Sequence, residues 1–334
     1  MRIGVIGAGA IGSLVAGYLK DKGKEVSLAG HPLSVKAVKE KGLSISGVRG
    51  NFEIKLDISE KLGSACDLAI LAVKTQDLDQ ALRENLGALR DALILTTENG
   101  VQADRITLKY LLKEKIISGI VMFGATYLEP GKVAHNFEGS WILGKIFKDN
   151  DREVELASAI LKEVFPVVVT REIKGMKYLK IFVNAGNCLA AILGLSMQEA
   201  FSDLETSRIN IAVWQEGLEV IKQAGIKLVS LPDFPLERLT KLTGLAQIQA
   251  AKIFFEMMLN LSKEPLYGSV LQSIKRGKAS EIDYLNGEFV NIAKINKSQA
   301  PLNEKLVEMV HQVERSGKFF SRPELINLTK QFLN

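Results

Sequence analysis

The feature that most constrains the fold is a glycine motif that opens the chain. Residues 1–6, Met-Arg-Ile-Gly-Val-Ile, predict a short apolar strand, and Gly7-Ala-Gly-Ala-Ile-Gly12 follows it directly. A helical run then extends to Lys22, and residues 25–29 predict a second strand. A strand, a glycine loop, a helix and a strand within about 30 residues are typical of a dinucleotide-binding unit. The sequence therefore predicts an α/β domain that binds a dinucleotide.

Each glycine of this loop has a predicted role. Gly7 makes the tight turn, Gly9 lets the backbone approach a pyrophosphate, and Gly12 lets the helix pack closely on the strand. The N-terminus of the helix then offers free N–H groups and a positive dipole end to the phosphates. The alternative is a glycine-rich turn without a ligand. The predicted cofactor-binding residues of the loop are Gly7, Ala8, Gly9, Ala10, Ile11 and Gly12.

The residues after the second strand select between NAD and NADP. An NAD enzyme usually carries Asp or Glu there, which binds the ribose 2′-hydroxyl. Residues 29–36 contain no acidic residue, whereas His31, Ser34 and Lys36 could surround a 2′-phosphate. The pattern favours NADP(H) as the cofactor, although His31 could also be an ordinary loop histidine.

Two further apolar strands are predicted, at 67–73 and 92–96. Lys74 follows the first of them, and Asn99 follows the second within Glu-Asn-Gly. Ligands of open α/β sheets bind beyond the carboxyl ends of the strands, so both residues are candidate cofactor contacts. The alternatives are a solvated lysine and a turn asparagine before glycine.

The two halves of the chain differ in their periodicity. Residues 116–143 are rich in predicted strands, and a helix at 153–165 and a strand at 167–170 follow. From about Arg171 the pattern changes to long helical periods. We therefore predict a Rossmann-type α/β domain over 1–170 and an all-α domain over 171–334. The other helices predicted in the second domain are 204–225, 245–262, 269–274 and 280–296.

The most informative helix of the second half is residues 180–195, which are apolar apart from four positions: Lys180, Asn184, Asn187 and Cys188. Lys180 and Asn184 share one helix face, which residue 187 or 188 continues. Polar groups in an apolar helix need partners or a ligand, because burying them unpaired is costly. The sequence favours a ligand; the alternative is a hydrogen-bond network between helices.

Composition narrows the class of protein. With 334 residues, 47% hydrophobic and 24% charged, the chain has ordinary globular values and a length of about two domains. Three His and two Cys are too scattered to predict a metal site. The net charge of +5 is spread along the chain, which does not favour nucleic-acid binding. No stretch predicts a membrane span, so we expect a cytoplasmic protein. The apolar helical half could be core or the surface of a homodimer.

Several landmarks occur together, in order along nearly the whole chain. They are the opening glycine loop, Lys74 after LAILAV, Asn99 after ALILTT, Lys180-Ile-Phe-Val-Asn184, Ser269 with the Arg-Gly-Lys turn that follows, residues 281–287 (EIDYLNG) and Ala300-Pro-Leu-Asn303. The set resembles the ketopantoate reductase (2-dehydropantoate 2-reductase) family. The EIDYLNG segment, with its upstream serine, is the most specific part.

The resemblance implies a function and a set of site residues. Enzymes of this family reduce the ketone of 2-dehydropantoate, a small 2-oxo acid, with NADPH, and the pantoate formed serves pantothenate and coenzyme A synthesis. Lys180 matches the general acid, and Glu281 matches the acidic residue beside the lysine and the cofactor. Asn184 and Ser269 match substrate-binding positions, and Ala125 is added to the cofactor contacts.

Two departures from the family pattern bear on specificity. His31 stands where the family usually has arginine, which affects the grip on a 2′-phosphate. A second family asparagine falls at Cys188, while Asn187, the candidate substrate-binding residue, stands one place earlier. A one-residue slip turns a helical side chain by about 100°. The alternatives are therefore a reductase of another 2-oxo acid or of an imine, and a dinucleotide-binding sensor without turnover.

Overall fold

The computed structural model describes residues 1–260 and 264–333 of the chain. The chain divides into two compact units, Met1–Lys174 and Gly175–Asn334. The division falls within a helix, Ile173–Ala185, slightly after the boundary expected at residue 170. In the described residues every strand belongs to the first unit, and the second unit is helical.

The first unit contains two sheets. Its strands are β1 (Arg2–Ile6), β2 (Glu25–Ala29), β3 (Leu43–Gly47), β4 (Phe52–Ile54), β5 (Asp57–Ser59), β6 (Leu68–Leu71), β7 (Leu93–Thr96), β8 (Ile116–Val121), β9 (Gly124–Glu129), β10 (Lys132–Phe137), β11 (Trp141–Gly144) and β12 (Val167–Val169). Eight strands form one sheet in the order β12-β11-β8-β7-β6-β1-β2-β5, and four form the other in the order β4-β3-β10-β9. In the larger sheet, β8 and β11 pair antiparallel and the other described neighbours pair parallel.

The helices of the first unit connect and cover these strands. They are α1 (Ala10–Asp21), α2 (Pro32–Lys41), α3 (Leu78–Leu89), α4 (Ala103–Leu108) and α5 (Arg152–Leu161), with 3₁₀ helices at Thr75–Asp77 and Lys113–Lys115. Helix α5 ends four residues before the predicted end at Phe165. Pro166 follows Phe165, and a residue before proline is disfavoured in the helical conformation.

The strands β1, β6 and β7 form the middle of the larger sheet. Apart from Arg2 their residues are all buried, as expected for parallel strands that are covered on both faces. Their register, together with that of β2, aligns four residues across the sheet: Ala29, Ile6, Leu71 and Thr96. The loops that follow these four strands therefore leave the sheet at one edge.

The strand order also changes direction at β1. The chain passes from β1 to β2 on one side and later returns to β6 on the other side. In open α/β sheets the crevice outside such a reversal is where ligands bind. The topology therefore predicts a ligand site at the loop that follows β1.

The smaller sheet packs against α1. A Cβ at Gly17 would overlap the Ile45 side chain of β3, so this glycine allows the close approach. The Tyr18 hydroxyl of the same helix lies 3.0 Å from Nδ1 of the buried His135 in β10. Residues from both sheets share one apolar cluster, which joins the two sheets into one unit.

A buried lysine connects the end of β11 to the start of α5. The Lys145 side chain has no exposed surface, and its Nζ donates to Asp151 and Glu153 carboxylate oxygens at 2.8 Å each. It also donates to the Glu114 carbonyl oxygen. Burial alone would raise the pKa of Asp151, but the hydrogen bonds from Lys145 and Lys148 outweigh it and lower that pKa.

The second unit consists of ten helices and two 3₁₀ helices in the described residues. They are α6 (Ile173–Ala185), α7 (Asn187–Leu193), α8 (Met197–Phe201), α9 (Leu204–Gln223), α10 (Leu236–Gly244), α11 (Gln247–Leu259), α12 (Ser269–Lys275), α13 (Asn286–Ile295), α14 (Pro301–Ser316) and α15 (Arg322–Thr329), with 3₁₀ helices at Ile282–Tyr284 and Lys330–Phe332. The longest, α9, packs against α11, α13 and α14. The serine caps of α8 and α15 form capping boxes, which fix where these helices begin.

Three helix predictions for this unit need correction or completion. The predicted helix over 180–195 is interrupted at Gly186, between α6 and α7. The predicted helix over 280–296 begins only at Asn286, after the 3₁₀ turn. The predicted helix over 245–262 is observed as α11, and residues 261 and 262 lie outside the described residues. At Gly186 the carbonyl oxygen accepts from the Leu189 amide, a tighter turn than an α-helix makes.

No helix in residues 1–260 and 264–333 is long and apolar enough to cross a membrane.

We expect Lys145→Met to lower the free energy of unfolding by about 2 kcal/mol, because it leaves two carboxylates without their buried partner. Urea unfolding followed by circular dichroism measures the change. Lys148→Met is the matched control, because Lys148 pairs with the same Asp151 but lies near the surface. A loss of equal size in both variants would contradict the role assigned to burial.

Candidate active site

The glycine loop after β1 has the geometry of a phosphate cradle. Gly7 has φ of +115°, and a Cβ there would lie 2.5 Å from the Ala72 carbonyl oxygen. A Cβ at Gly12 would overlap the Gly7 carbonyl oxygen, so neither position accepts a side chain. Gly9 differs, because nothing lies within 4 Å of its Cβ position. The backbone at Gly9, the N-cap of α1, therefore faces open space in which a pyrophosphate fits.

The loops after β6 and β7 meet beside this cradle. The Thr97 hydroxyl donates to the Leu71 carbonyl oxygen at 2.6 Å, and the Thr75 hydroxyl donates to the Asn99 carbonyl oxygen at 3.4 Å. Lys74 is half-buried at the start of the 3₁₀ turn that follows β6. Three of the predicted cofactor contacts, the glycine loop, Lys74 and Asn99, are thus brought to one edge of the sheet.

The residues after β2 only partly match the prediction. His31 is exposed as the N-cap of α2, and Lys36 is exposed one turn later. Ser34 is buried, and its hydroxyl pairs with the Tyr127 hydroxyl at 3.2 Å. The inclusion of Ser34 among the 2′-phosphate contacts was therefore wrong, because its helical position turns it toward the smaller sheet.

Two further residues are Lys61, which lies near this edge, and Ala125, which lies in the smaller sheet. The Gly30 amide donates to the Ser59 carbonyl oxygen at 2.9 Å, which brings the end of β5, followed by the exposed Lys61, beside the turn after β2. Sequence analysis missed Lys61 because β5 is short and distant in sequence. Ala125 is half-buried in β9 and pairs with His135 in the smaller sheet, so the strand ends do not explain its assignment.

In the second unit, α6 and α7 expose one narrow stripe. Between residues 180 and 188 the half-buried positions are Lys180, Val183, Asn184 and Asn187, and the other residues are buried. Lys180, Val183 and Asn184 are three and four residues apart and share one face of α6. Asn187, the first residue of α7, is half-buried as well, whereas Cys188 lies in the core with no exposed surface.

Two side chains of α9, Trp214 and Asn210, lie against the backbone near the interruption at Gly186. The Trp214 indole donates to the Phe182 carbonyl oxygen at 2.9 Å. One turn earlier, the fully buried Asn210 places its Oδ1 2.7 Å from where a Cβ of Gly186 would be. A side chain at 186 would therefore displace the Asn210 amide, so the close approach of α9 favours glycine there. Neither residue of α9 was anticipated from the sequence.

Lys180 has an unusual electrostatic environment. Burial lowers the pKa of its ammonium group to about 8, and the Asp233 carboxylate opposes this decrease only in part. Asp233 is exposed in the loop before α10, and the sequence analysis assigned no role to it. A lysine with this pKa is mostly protonated at pH 7 and gives up its proton far more readily than an exposed lysine.

The structure also brings Asn187 to Ser269. A Cβ at Gly268 would lie 2.9 Å from Cγ and Oδ1 of Asn187, so the amide of Asn187 rests on the backbone just before Ser269. Ser269 is exposed in the first turn of α12, which packs on α7. A carboxylate or hydroxyl of a substrate could bind both side chains.

Glu281 and Cys188 are connected through Asn286. Glu281 is half-buried as the N-cap of the 3₁₀ helix that precedes α13. The Asn286 amide, in the same EIDYLNG segment, donates to Oδ1 of Asn303 at 3.0 Å. Burial raises the pKa of the Cys188 thiol to about 12, against a smaller opposing effect of the adjacent Asn286 side chain. Cys188 is therefore an unreactive core residue that contacts the segment carrying Glu281.

The class of protein follows from these features and from family models. The first unit is a dinucleotide-binding α/β fold, and the second is a helical unit that presents a lysine of lowered pKa. The family model described as ketopantoate reductase PanE/ApbA matches residues 3–147, and the model of its C-terminal part matches residues 172–314. The molecule is an oxidoreductase of the kind that uses a nicotinamide dinucleotide.

The chain belongs to the ketopantoate reductase family. It is 32% identical to the 2-dehydropantoate 2-reductase of Pyrococcus horikoshii over 325 residues, 95% of this chain and 99% of the relative. It is 26% identical to the enzyme of the same name from Lactococcus lactis, with 94% and 98% covered. These matches confirm the resemblance found in the sequence.

Solved structures with the same fold include two of interest. D-mandelate dehydrogenase, in a ternary structure with NADH and anilino(oxo)acetate, gives a TM-score of 0.79 at 25% identity and covers 95% of this chain and 99% of its own. A PanE/ApbA family ketopantoate reductase from Ralstonia eutropha gives 0.79 at 23% identity, with 94% and 99% covered. The predicted fold class, a Rossmann-type α/β domain followed by a helical domain, is confirmed.

The glycine loop generates a paired prediction. Gly9→Ala should weaken binding of the nicotinamide dinucleotide at least tenfold, because the new methyl group projects into the space for the pyrophosphate. Its free energy of unfolding should change little. Gly12→Ala should instead lower the free energy of unfolding by about 2 kcal/mol, because the methyl group overlaps the Gly7 carbonyl. Fluorescence titration and urea unfolding give the two quantities. Unchanged binding by Gly9→Ala would contradict the cradle.

Proposed function

We propose that this protein reduces 2-dehydropantoate to pantoate with NADPH, a step that serves pantothenate and coenzyme A synthesis. One observation carries the proposal: Lys180, with a pKa lowered to about 8, shares an accessible face of α6 with Asn184, and Asn187 is accessible at the start of α7. A proton donor beside two amides suits a substrate that has a ketone next to a carboxylate. The names of the relatives support the same substrate.

The residues of the first unit fit a nicotinamide dinucleotide. The open space at Gly9 and the N-terminus of α1 suit a pyrophosphate, and Lys74 and Asn99 lie at the neighbouring strand ends. When bound, the nicotinamide supplies a hydride to the ketone carbon. His31 and Lys36 are the exposed candidates for a 2′-phosphate, and no acidic residue lies between 29 and 36 to prefer a free 2′-hydroxyl.

Lys180 has two roles in the proposed reaction. Its ammonium group donates a hydrogen bond to the ketone oxygen, and this bond strengthens as negative charge develops there. The same group then transfers a proton from Nζ to that oxygen, which completes the alcohol. A pKa of about 8 keeps the proton on nitrogen at pH 7 and leaves it transferable.

The other polar side chains orient the substrate. Asn184, on the same face of α6 as Lys180, and Asn187, at the start of α7, donate to the carboxylate. Ser269, beside Asn187, binds the carboxylate or the terminal hydroxyl. Glu281 accepts a hydrogen bond from the ammonium group of Lys180 or from the substrate hydroxyl. These contacts hold the ketone in one orientation, which lowers the entropy cost of the reaction.

A second candidate is reduction of another 2-oxo acid. The similarity to D-mandelate dehydrogenase, solved with NADH and anilino(oxo)acetate, favours it. Cys188 stands where the family has its second asparagine, and it lies in the core. The second substrate-facing amide is therefore that of Asn187, one residue earlier, which alters the shape of the substrate site. A 2-oxo acid with a bulkier substituent would use the same lysine and the same amides.

The role of Lys180 gives a prediction for turnover. Lys180→Ala should lower kcat about 10³-fold and leave the Kd for NADPH unchanged, because the lysine acts on the ketone oxygen. In the wild type, kcat should fall about tenfold per pH unit above pH 8, as the general acid loses its proton. Lys180→Arg keeps the charge but cannot release a proton readily, so it should show low turnover without this decrease. Near-normal turnover of Lys180→Ala would remove Lys180 from the mechanism.

A panel of two cofactors and two substrates tests the identity of the reaction. NADPH and NADH oxidation is followed at 340 nm with 2-dehydropantoate and with 2-oxo-2-phenylacetate. We expect turnover with NADPH and 2-dehydropantoate to exceed the other combinations. His31→Ala should reduce the preference for NADPH over NADH. A preference for NADH would contradict the assignment of NADPH as cofactor and leave the proposed substrate unaffected. Activity confined to 2-oxo-2-phenylacetate would favour the second candidate.

A further inference from the structure

The segment that carries Glu281 is held by two side chains of α14. The Ser280 amide, just before Glu281, donates to Oε1 of Glu314 at 2.7 Å. Just after Glu281, Asp283 places Oδ1 3.0 Å from Nε2 of His311. His311 and Glu314 also contact each other, with Nδ1 2.9 Å from Oε2. Glu281 thus lies between two held residues, Ser280 and Asp283, and His311 contacts both Asp283 and the carboxylate that holds Ser280.

The hydrogen-bond pattern requires a particular form of His311. Both ring nitrogens lie at hydrogen-bond distance from carboxylate oxygens, which only accept. A neutral imidazole has one N–H and can satisfy only one of them, whereas the imidazolium donates to both. The arrangement carboxylate–imidazolium–carboxylate is therefore complete only with a protonated histidine.

We propose that His311 and Glu314 are positioning residues that hold Glu281 in the active site, and that this His311–Glu314 clamp loosens when His311 loses its proton. The proposal rests on the function assigned above, since it deepens the role of Glu281. Both residues act through the 280–283 segment and neither is a catalytic residue.

The electrostatics of the clamp agree with its geometry. Burial alone would lower the pKa of His311, but the hydrogen bonds from its ring to Glu314 and Asp283 outweigh burial and raise that pKa above 6.5. These two carboxylates, Asp283 on the 3₁₀ turn and Glu314 on α14, are the charged groups that act on the histidine. A raised folded-state pKa means that the clamp is fully formed below about pH 6.5 and is lost as pH rises through the folded-state value.

The helix that carries the clamp is itself fixed at its other end. The Glu216 carboxylate of α9 accepts from the amides of Leu302 and Asn303 at 2.9 and 2.8 Å, which caps the start of α14. The Asn303 side chain also accepts from Asn286 at the far end of the EIDYLNG segment. The segment is therefore held at both ends by α14, and the His311–Glu314 clamp is the end that can titrate.

The experiment compares three variants by hydrogen exchange and by kinetics. His311→Gln removes the charge at the clamp, and Asp283→Asn removes the outer carboxylate. Lys305→Gln is the matched control, because Lys305 forms an i,i+3 pair with Glu308 on the same helix and away from the segment. Protection factors of the amides of 280–285 are measured at pH 6 and pH 8. The kcat, the KM for the 2-oxo acid and the Kd for NADPH are measured at the same two values.

We expect wild-type protection of the Ser280 amide to fall about tenfold between pH 6 and pH 8. His311→Gln should show the lower value at both pH values, and its kcat at pH 6 should fall about tenfold while the Kd for NADPH stays unchanged. Asp283→Asn should keep the protection but lose its pH dependence, because a neutral imidazole can then satisfy both neighbours. Lys305→Gln should match the wild type.

Each of the other possible outcomes would contradict one part of the proposal. Equal protection in wild type and His311→Gln would show that there is no clamp. Lower protection with unchanged kcat would show that the clamp does not position Glu281. If the wild type turns over no 2-oxo acid, the proposed function fails, and the protection factors still decide whether the clamp exists. The two failures are therefore distinguishable.

Discussion

The turn at Gly7 is the constraint on which the dinucleotide-binding unit depends. Gly7 has a positive φ, and a side chain at Gly12 would overlap the Gly7 carbonyl oxygen. Both glycines are therefore needed for the tight turn from β1 into α1. Because the last residues of β2, β1, β6 and β7 are in register, this turn brings the N-terminus of α1 beside the ends of the neighbouring strands. Lys74 and Asn99 follow two of these strands, so the strand register places them at the same edge of the sheet.

The helical unit depends on a different balance. Between residues 180 and 193 the residues of α6 and α7 are buried except at Lys180, Val183, Asn184 and Asn187, so most of the Lys180 side chain is shielded from water. The same burial that makes a charged group costly lowers the pKa of this lysine and suits it to donate a proton. The feature that is unfavourable for folding is therefore the one that makes the site chemically useful.

The departure at Cys188 has a structural account in the same unit. Cys188 lies in the core beside Asn286, and Asn286 bonds to Asn303, whose neighbouring amides are capped by Glu216. Buried amides need partners, and these contacts supply an acceptor for the Asn286 side-chain N–H and for the Asn303 backbone N–H. They also link α7 to the segment that carries Glu281, because Cys188 lies on α7 and Asn286 belongs to that segment.

The sequence alone determined the local features: the glycine loop, the strand and helix order, the Lys180–Asn184 face and the EIDYLNG segment. Each depends on residues within a few positions of one another, where spacing fixes geometry. The tertiary structure decided which residues face the core, and it turned Ser34 and Cys188 inward and Asn187 outward. It also brought Asp233 near Lys180, and His311 to the Glu281 segment. These partners are distant in sequence, and only the packing of helices against one another brings them within reach.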